Sequence, residues 1–316
     1  MRTPTRPLSA LSLGIVTALA VSACGGSEDT TAEASSAATE VTVAHAQGQT
    51  AVPADPQRVV VFDIGVLSTL DSLGVEVAGV PEATFPESLA RYAGDGYPKV
   101  GSLFEPDYEA VNALEPDLII VAGRSAAVYP QLAEIAPTID LSVDNADFLA
   151  SFEERTTTLG EVFGEQDAVA GRLAAIETRA AEVREAAQDD GEALVVMTSA
   201  SEVSAYGAGS RFGIVHDELG LGVADEDLTE ADHGDAVSFE YLAETDPDIM
   251  LVLDRDAAIG ESGAAARAVL DNELVRGTTA WRNGDVHYLD SSVWYVAPNG
   301  LPSVETMIDE VAAAVE

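Results

Sequence analysis

The stretch Glu109-Ala-Val-Asn-Ala-Leu114-Glu-Pro116-Asp117-Leu-Ile-Ile-Val121-Ala-Gly-Arg124 aligns without gaps on Glu240-Tyr-Leu-Ala-Glu-Thr245-Asp-Pro247-Asp248-Ile-Met-Leu-Val252-Leu-Asp-Arg255. Each copy reads as a helix, a Pro-Asp turn, an apolar strand and then an arginine. Continuous apolar runs of this length, bounded by turn residues, are the pattern of strands covered on both faces. Two copies are too few for a solenoid and read instead as two similar α/β units facing each other across a cleft. Outward from this pair, β-branched runs at 59–63, 75–80, 138–143, 193–198 and 285–289 alternate with amphipathic stretches such as 66–73, 108–114, 212–219 and 239–245. That alternation predicts an α/β fold with mainly parallel sheets. Residues 147–187 differ, because they contain no proline and repeat apolar side chains at helical spacing, from Leu149 and Phe152 to Ile176 and Val183. They predict one or two long helices joining the lobes, with a last helix over 304–315. The expected boundaries are an N-terminal lobe over 51–145, a connecting helical region over 146–189 and a C-terminal lobe over 190–316.

Composition narrows the function. The 316 residues carry 55 Asp and Glu against 15 Lys and Arg, a formal net charge of −40. Such a polyanion repels phosphate backbones, so no nucleic-acid partner is expected. The single lysine, Lys99, precedes Val100, which excludes a Walker phosphate loop. One cysteine makes neither an internal disulfide nor a thiolate zinc site. No G-x-S-x-G elbow is present, and the histidines include no H-x-x-x-H pair. Nothing in the chain requires catalysis.

Residues 1–23 read as an export signal: Arg2 and Arg6 precede an apolar stretch from Leu8 to Ala20 that is short for a membrane span. Then follow Val21-Ser22-Ala23-Cys24-Gly25, which resembles the lipobox of bacterial lipoproteins. This implies lipidation of Cys24 and anchoring on the outer face of the cell membrane. The Ser, Thr, Ala and Glu of residues 24–50 predict a flexible tether.

The cations are scarce, so their positions matter. Ligands of open parallel sheets collect beyond the carboxyl ends of strands, where Arg124 and Arg255 both fall. A guanidinium there suits a planar anion, and for Arg255 a local ion pair with Asp254 or Asp256 is an equal alternative. Arg211 lies in Tyr206-Gly-Ala-Gly-Ser-Arg-Phe-Gly213, a glycine-rich loop expected to open a helix, where a capped turn with a solvated arginine is an equal reading. Taken alone, His233 in Ala231-Asp-His-Gly-Asp235 reads as a solvated loop residue and Trp294-Tyr295 as core aromatics. Glu109 and Glu240 are expected at the opposite end of each unit from the arginines.

Together, Val100-Gly-Ser-Leu-Phe-Glu-Pro-Asp-Tyr-Glu109, the Pro-Asp strand repeat, Gly209-Ser-Arg-Phe-Gly213 and Trp294-Tyr295 resemble the substrate-binding lipoproteins of iron–siderophore ABC importers. The likeness is greatest to the petrobactin-type, catecholate-binding branch. It implies two Rossmann-like lobes joined by a long helix and a ferric siderophore carried as ligand, with no intrinsic cofactor. It further implies that Arg124, Arg211 and Arg255 hold catecholate oxygens, that His233 and Tyr295 complete the iron shell, and that Glu109 and Glu240 dock an ABC permease. A monomer is expected. Another chelate of the same class (a hydroxamate, haem or cobalamin) is the nearer alternative, and a secreted hydrolase the more distant one.

Overall fold

The computed structural model describes residues 40–189, 191–229, 233–263 and 265–315. The first elements are an antiparallel hairpin, β1 (Glu40–His45) and β2 (Gly48–Pro53), where the composition had predicted tether up to residue 50. Alternation explains it: Val43, His45 and Val52 turn inward and are buried, while Thr42 and Ala44 face water. Thr50 Oγ1 donates to Thr138 O at 3.0 Å and Ala46 N to Asp140 O at 3.2 Å, so the hairpin is sewn to the N-terminal lobe. His45 is structural there, with Nε2 2.9 Å from Thr50 Oγ1, and burial lowers its pKa.

The N-terminal sheet is parallel: β3 (Val59–Val61), β4 (Leu118–Val121) and β5 (Thr138–Asp140), in that order. The strand expected at 75–80 is reduced to single bridges, Val60 to Gly79 and Val80 to Lys99. Pro81 and Pro98 flank these bridges and have no N–H with which to lengthen the ladder.

The C-terminal lobe holds β6 (Glu192–Ser199), β7 (Glu202–Tyr206), β8 (Gly222–Val223), β9 (Asp235–Val237), β10 (Ile249–Asp254) and β11 (Val286–Tyr288). The strand order is β11-β10-β6-β7-β9, with β8 beside the start of β6. β11, β10, β6 and β8 run parallel, and β7 lies antiparallel between β6 and β9, so the sheet is mainly parallel with one reversed strand. The reversal is a two-residue turn in which Ala200 (φ 48°) and Ser201 (φ 73°) both take the left-handed conformation. Asparagine and glycine usually mark such a turn, and neither occurs here.

Two long helices, α1 (Phe148–Phe163) and α2 (Gln166–Ala186), join the lobes and meet at Gly164, whose φ of 74° ends the first. Leu159, Val162 and Phe163 pack into the N-terminal core, and Phe148, Phe152, Ile176 and Val183 into the C-terminal one. The last helix, α3 (Leu301–Val315), lies against α2, and Arg172 of α2 grips Glu305 with Nε at 2.8 Å and Nη2 at 2.6 Å. The described residues form one compact unit.

Each of Val43→Ala and Val52→Ala removes two buried methyl groups and is expected to lower unfolding free energy by about 1.5 kcal/mol, at ~0.8 kcal/mol per group. Thr42→Ala, on the exposed face, is expected to change it by less than about 0.5 kcal/mol. Denaturant titration distinguishes this packed hairpin from a tether, in which all three would be silent.

Candidate ligand site

β4 runs directly into the short 3-10 turn Gly123–Val128 that carries Arg124, and β10 into the short helix Arg255–Ala258. The duplicated unit thus delivers one arginine at the carboxyl end of a central strand in each lobe. Arg211 comes from the loop after β7. There Ser210 is buried and donates to Gly207 O at 2.7 Å, and Asp217 accepts from Gly209 N at 2.7 Å. The helix expected over 212–219 is a single turn, Ile214–Asp217, because Gly213 and Gly220 bound it. Anion attraction in this loop therefore rests on the Arg211 guanidinium and not on a helix end.

All three meet at Tyr295. Ser292–Val296 form a π-helical turn whose Trp294 is fully buried, with Nε1 donating to Glu310 at 2.7 Å. Its neighbour Tyr295 turns to the seam and packs against the cores of both lobes. The Arg124, Arg211 and Arg255 guanidinium carbons stand 5.0, 4.6 and 5.9 Å from the Tyr295 ring centre. Arg124 Nη2 donates to Tyr295 O at 2.5 Å and Nη1 to Val296 O at 3.3 Å, while Arg211 Nη2 donates to Tyr295 O at 3.3 Å. Arg255 Nε donates to the Tyr295 hydroxyl at 3.2 Å and Nη1 to Ser199 Oγ at 3.3 Å. The ion pair foreseen as an alternative for Arg255 forms only loosely, with Asp256 at 3.8 Å.

Arg124, Arg211, His233 and Tyr295 line one cleft of about 360 Å³. Arg255 does not line it and meets the cluster through the phenol. His233 is exposed, and its carbonyl accepts the Tyr206 hydroxyl at 2.9 Å. Among the described residues no three His, Cys, Asp or Glu side chains gather as a metal cage.

The sequence reading missed the rest of the wall. Phe104 and Phe148 supply its apolar part, and Asp63 and Asn299 a polar corner. Asp63 caps the helix Ile64–Ser72 by accepting from Val66 N at 2.9 Å. Burial pushes its carboxyl up, against the pull of these amide bonds and of Arg124. A capping Asp at the first strand-to-helix turn is the signal that could have revealed it.

Glu109 and Glu240 are exposed in matching first turns, of the helix Tyr108–Ala113 capped by Asp107 and of Phe239–Thr245 capped by Ser238. Their expected place, at the opposite end from the arginines, is corrected by the topology. β9 is parallel to β6 and β10, since two antiparallel pairings separate it from β6, so the helix that follows it starts at the sheet's carboxyl end. In the N-terminal lobe Phe104, shortly before Glu109, lines the cleft. Both acids thus lie on the carboxyl-end side of their sheets, the side that bears the arginines. Hydrogen bonds from its own N–H and from Ser238 hold the Glu240 carboxyl below the usual range. Cys24 lies outside the described residues.

A sequence profile described as periplasmic binding protein matches residues 59–293. The chain belongs to the periplasmic binding protein family. The petrobactin-binding protein YclQ of Bacillus subtilis is 40% identical over 97% of this chain and 98% of its own. Its crystal structure superposes with a TM-score of 0.84, over 88% of this chain and 99% of that one. The periplasmic catecholate-siderophore-binding protein VctP of Vibrio cholerae follows at 0.83, with 35% identity over 87% and 100%. The ferric-anguibactin-binding protein FatB of Vibrio anguillarum is 30% identical over 86% and 87%.

In this binding protein the Tyr295 phenol carries the electrostatic imprint of the site. Burial works to raise its pKa, but the Arg255 hydrogen bond and the charges of Arg255, Arg211 and Arg124 outweigh it and lower the pKa. The nearby Tyr206, governed by burial, is pushed up to about 12. Since folding lowers the Tyr295 pKa, its phenolate favours the folded state fully above pH ~10, and that contribution disappears as pH falls through the folded value. A difference titration of phenolate absorbance, wild type minus Tyr295→Phe, is expected to show a step below the ordinary tyrosine range. Arg255→Ala should move that step up, and an unmoved step would detach Tyr295 from the guanidinium groups.

Proposed function

We propose that this binding protein captures a ferric catecholate siderophore in the cleft between its lobes and hands it to an ABC permease for iron uptake. One observation carries the reading: guanidinium groups from both lobes crowd around a single phenol ring, within 4.6–5.9 Å of its centre. Ferric iron is hard and octahedral and prefers hard anionic oxygens, which catecholates supply. A ferric tris-catecholate carries three negative charges, and three arginines, which cannot lose their protons, match them one for one. Their planar forks also suit flat aromatic rings. The phenol with which all three already associate is an aromatic oxygen donor of the same kind as the ligand. YclQ and VctP, whose names carry petrobactin and catecholate siderophores, support the choice of chelate.

In this reading Tyr295, as phenolate, and neutral His233 fill two iron positions when the chelator supplies only four oxygens, the metal lowering the phenol pKa further. Glu109 and Glu240, exposed on matching helices on the arginines' side of the sheets, dock on cationic residues of the permease. Lipid on Cys24 holds a monomeric receptor at the outer face of the membrane. The activity is binding and release without turnover.

Arg124→Ala or Arg255→Ala is expected to weaken binding of a ferric catecholate by about 2–5 kcal/mol, because a desolvated anion loses its partner. Quenching of tryptophan emission by the coloured complex measures it, and wild-type affinity in either variant removes that arginine from the site. Glu109→Arg combined with Glu240→Arg should abolish iron uptake by cells while the purified protein keeps its ligand affinity. Continued uptake would refute the docking assignment.

A further inference from the structure

Phe104 is 64% exposed, the largest value among the exposed large hydrophobic side chains of the described residues. It is not on a loose segment. Ser102 Oγ accepts from Phe104 N at 3.3 Å and Glu105 N at 3.0 Å, and Ser102 N donates back to Glu105 O at 3.0 Å. Gly101 closes the base of the turn against Pro106 at a φ of 87°, where an added Cβ would meet Asp107 N at 2.4 Å. Asp107 then starts the next helix by accepting from Glu109 and Ala110 N. A tight turn, fixed at both ends, therefore holds an aromatic ring out of the core and at the wall of the cleft that Arg124, Arg211 and Tyr295 line. Burying a phenylalanine contributes about 1.5–3 kcal/mol, and the fold forgoes that here.

We propose that Phe104 is a specificity-determining residue that covers an aryl face of the bound chelate and so selects aromatic, catecholate-type ligands over ferric hydroxycarboxylates. The inference rests on the siderophore reading of the cleft. The guanidinium groups supply charge for any anionic iron complex, citrate included, and so do not discriminate by themselves. An apolar ring in the same wall gains contact area only with a ligand that brings its own apolar face, and a stacked pair adds about 0.5–1.5 kcal/mol beyond that area.

The test compares ferric petrobactin and ferric citrate as probes in tryptophan-quenching titrations of the full mature chain. Phe104→Ala is expected to weaken ferric petrobactin about tenfold, Phe104→Tyr to stay within about twofold of wild type, and ferric citrate to be unaffected by either change. Because the side chain is exposed, the thermal midpoint of each variant should equal that of wild type, and its measurement confirms folding. If Phe104→Ala binds ferric petrobactin as wild type does while Arg255→Ala fails to, the selector role is refuted and the siderophore reading stands. An equal loss for both probes likewise refutes aryl selection. If the wild type binds no ferric catecholate, the reading of the site falls and this inference with it.

Discussion

Holding three like charges around one ring is the constraint on which the site depends. Two unit charges about 8 Å apart repel by roughly 2 kcal/mol at an effective dielectric of 20. The fold offsets this with aromatic contact, with the carbonyls of Tyr295 and Val296, and with nearby carboxylates such as Asp63 beside Arg124 and Asp256 beside Arg255. Each hold is fixed by something deeper. Trp294 is locked into the C-terminal core and bonded to Glu310, so its neighbour Tyr295 is committed to the seam. β4 and β10 set the arginines at their carboxyl ends, and α1 with α2 keep the two lobes in register. The donors of the cleft are thus held in position in advance, which leaves little reorganisation to make.

The rest of the molecule has the opposite sign, with 55 acidic residues against 15 basic ones. At physiological ionic strength the field of the outer carboxylates fades over about 8 Å. The guanidinium groups of the cleft are partly desolvated, and between such groups screening is weaker. Net charge and local charge therefore act over different ranges, the first across the whole surface and the second within the cleft.

The seam is more than a pair of helices. Ala258, Val296 and Ala297 from the C-terminal half of the chain are buried in the N-terminal core. Thr84 Oγ1 donates to Ile259 O at 2.9 Å across the lobes, and Leu301 N donates to Thr69 Oγ1 at 2.9 Å. The segment that presents Tyr295 is thus anchored on both sides. That explains how a residue of the C-terminal half can gather an arginine from each lobe.

The architecture was legible where periodicity and duplication carry it. The paired Pro-Asp strands, the long proline-free helices and the arginine after each duplicated strand follow from local pattern, because apolar spacing and strand-end position are properties of the chain itself. The β1–β2 hairpin was not legible, because a polar, alanine-rich composition hides two inward valines whose partners are remote in sequence. β7 was hidden by Ala200 and Ser201, whose left-handed turn is imposed by pairing and not by residue type. Tertiary structure alone decided that three guanidinium groups share one phenol, that Asp63 and Phe104 wall the same cleft, and that Glu109 and Glu240 lie on the arginines' side of the sheets. Those are distances between residues tens to hundreds of positions apart, and only the packing of two lobes against a common seam sets them.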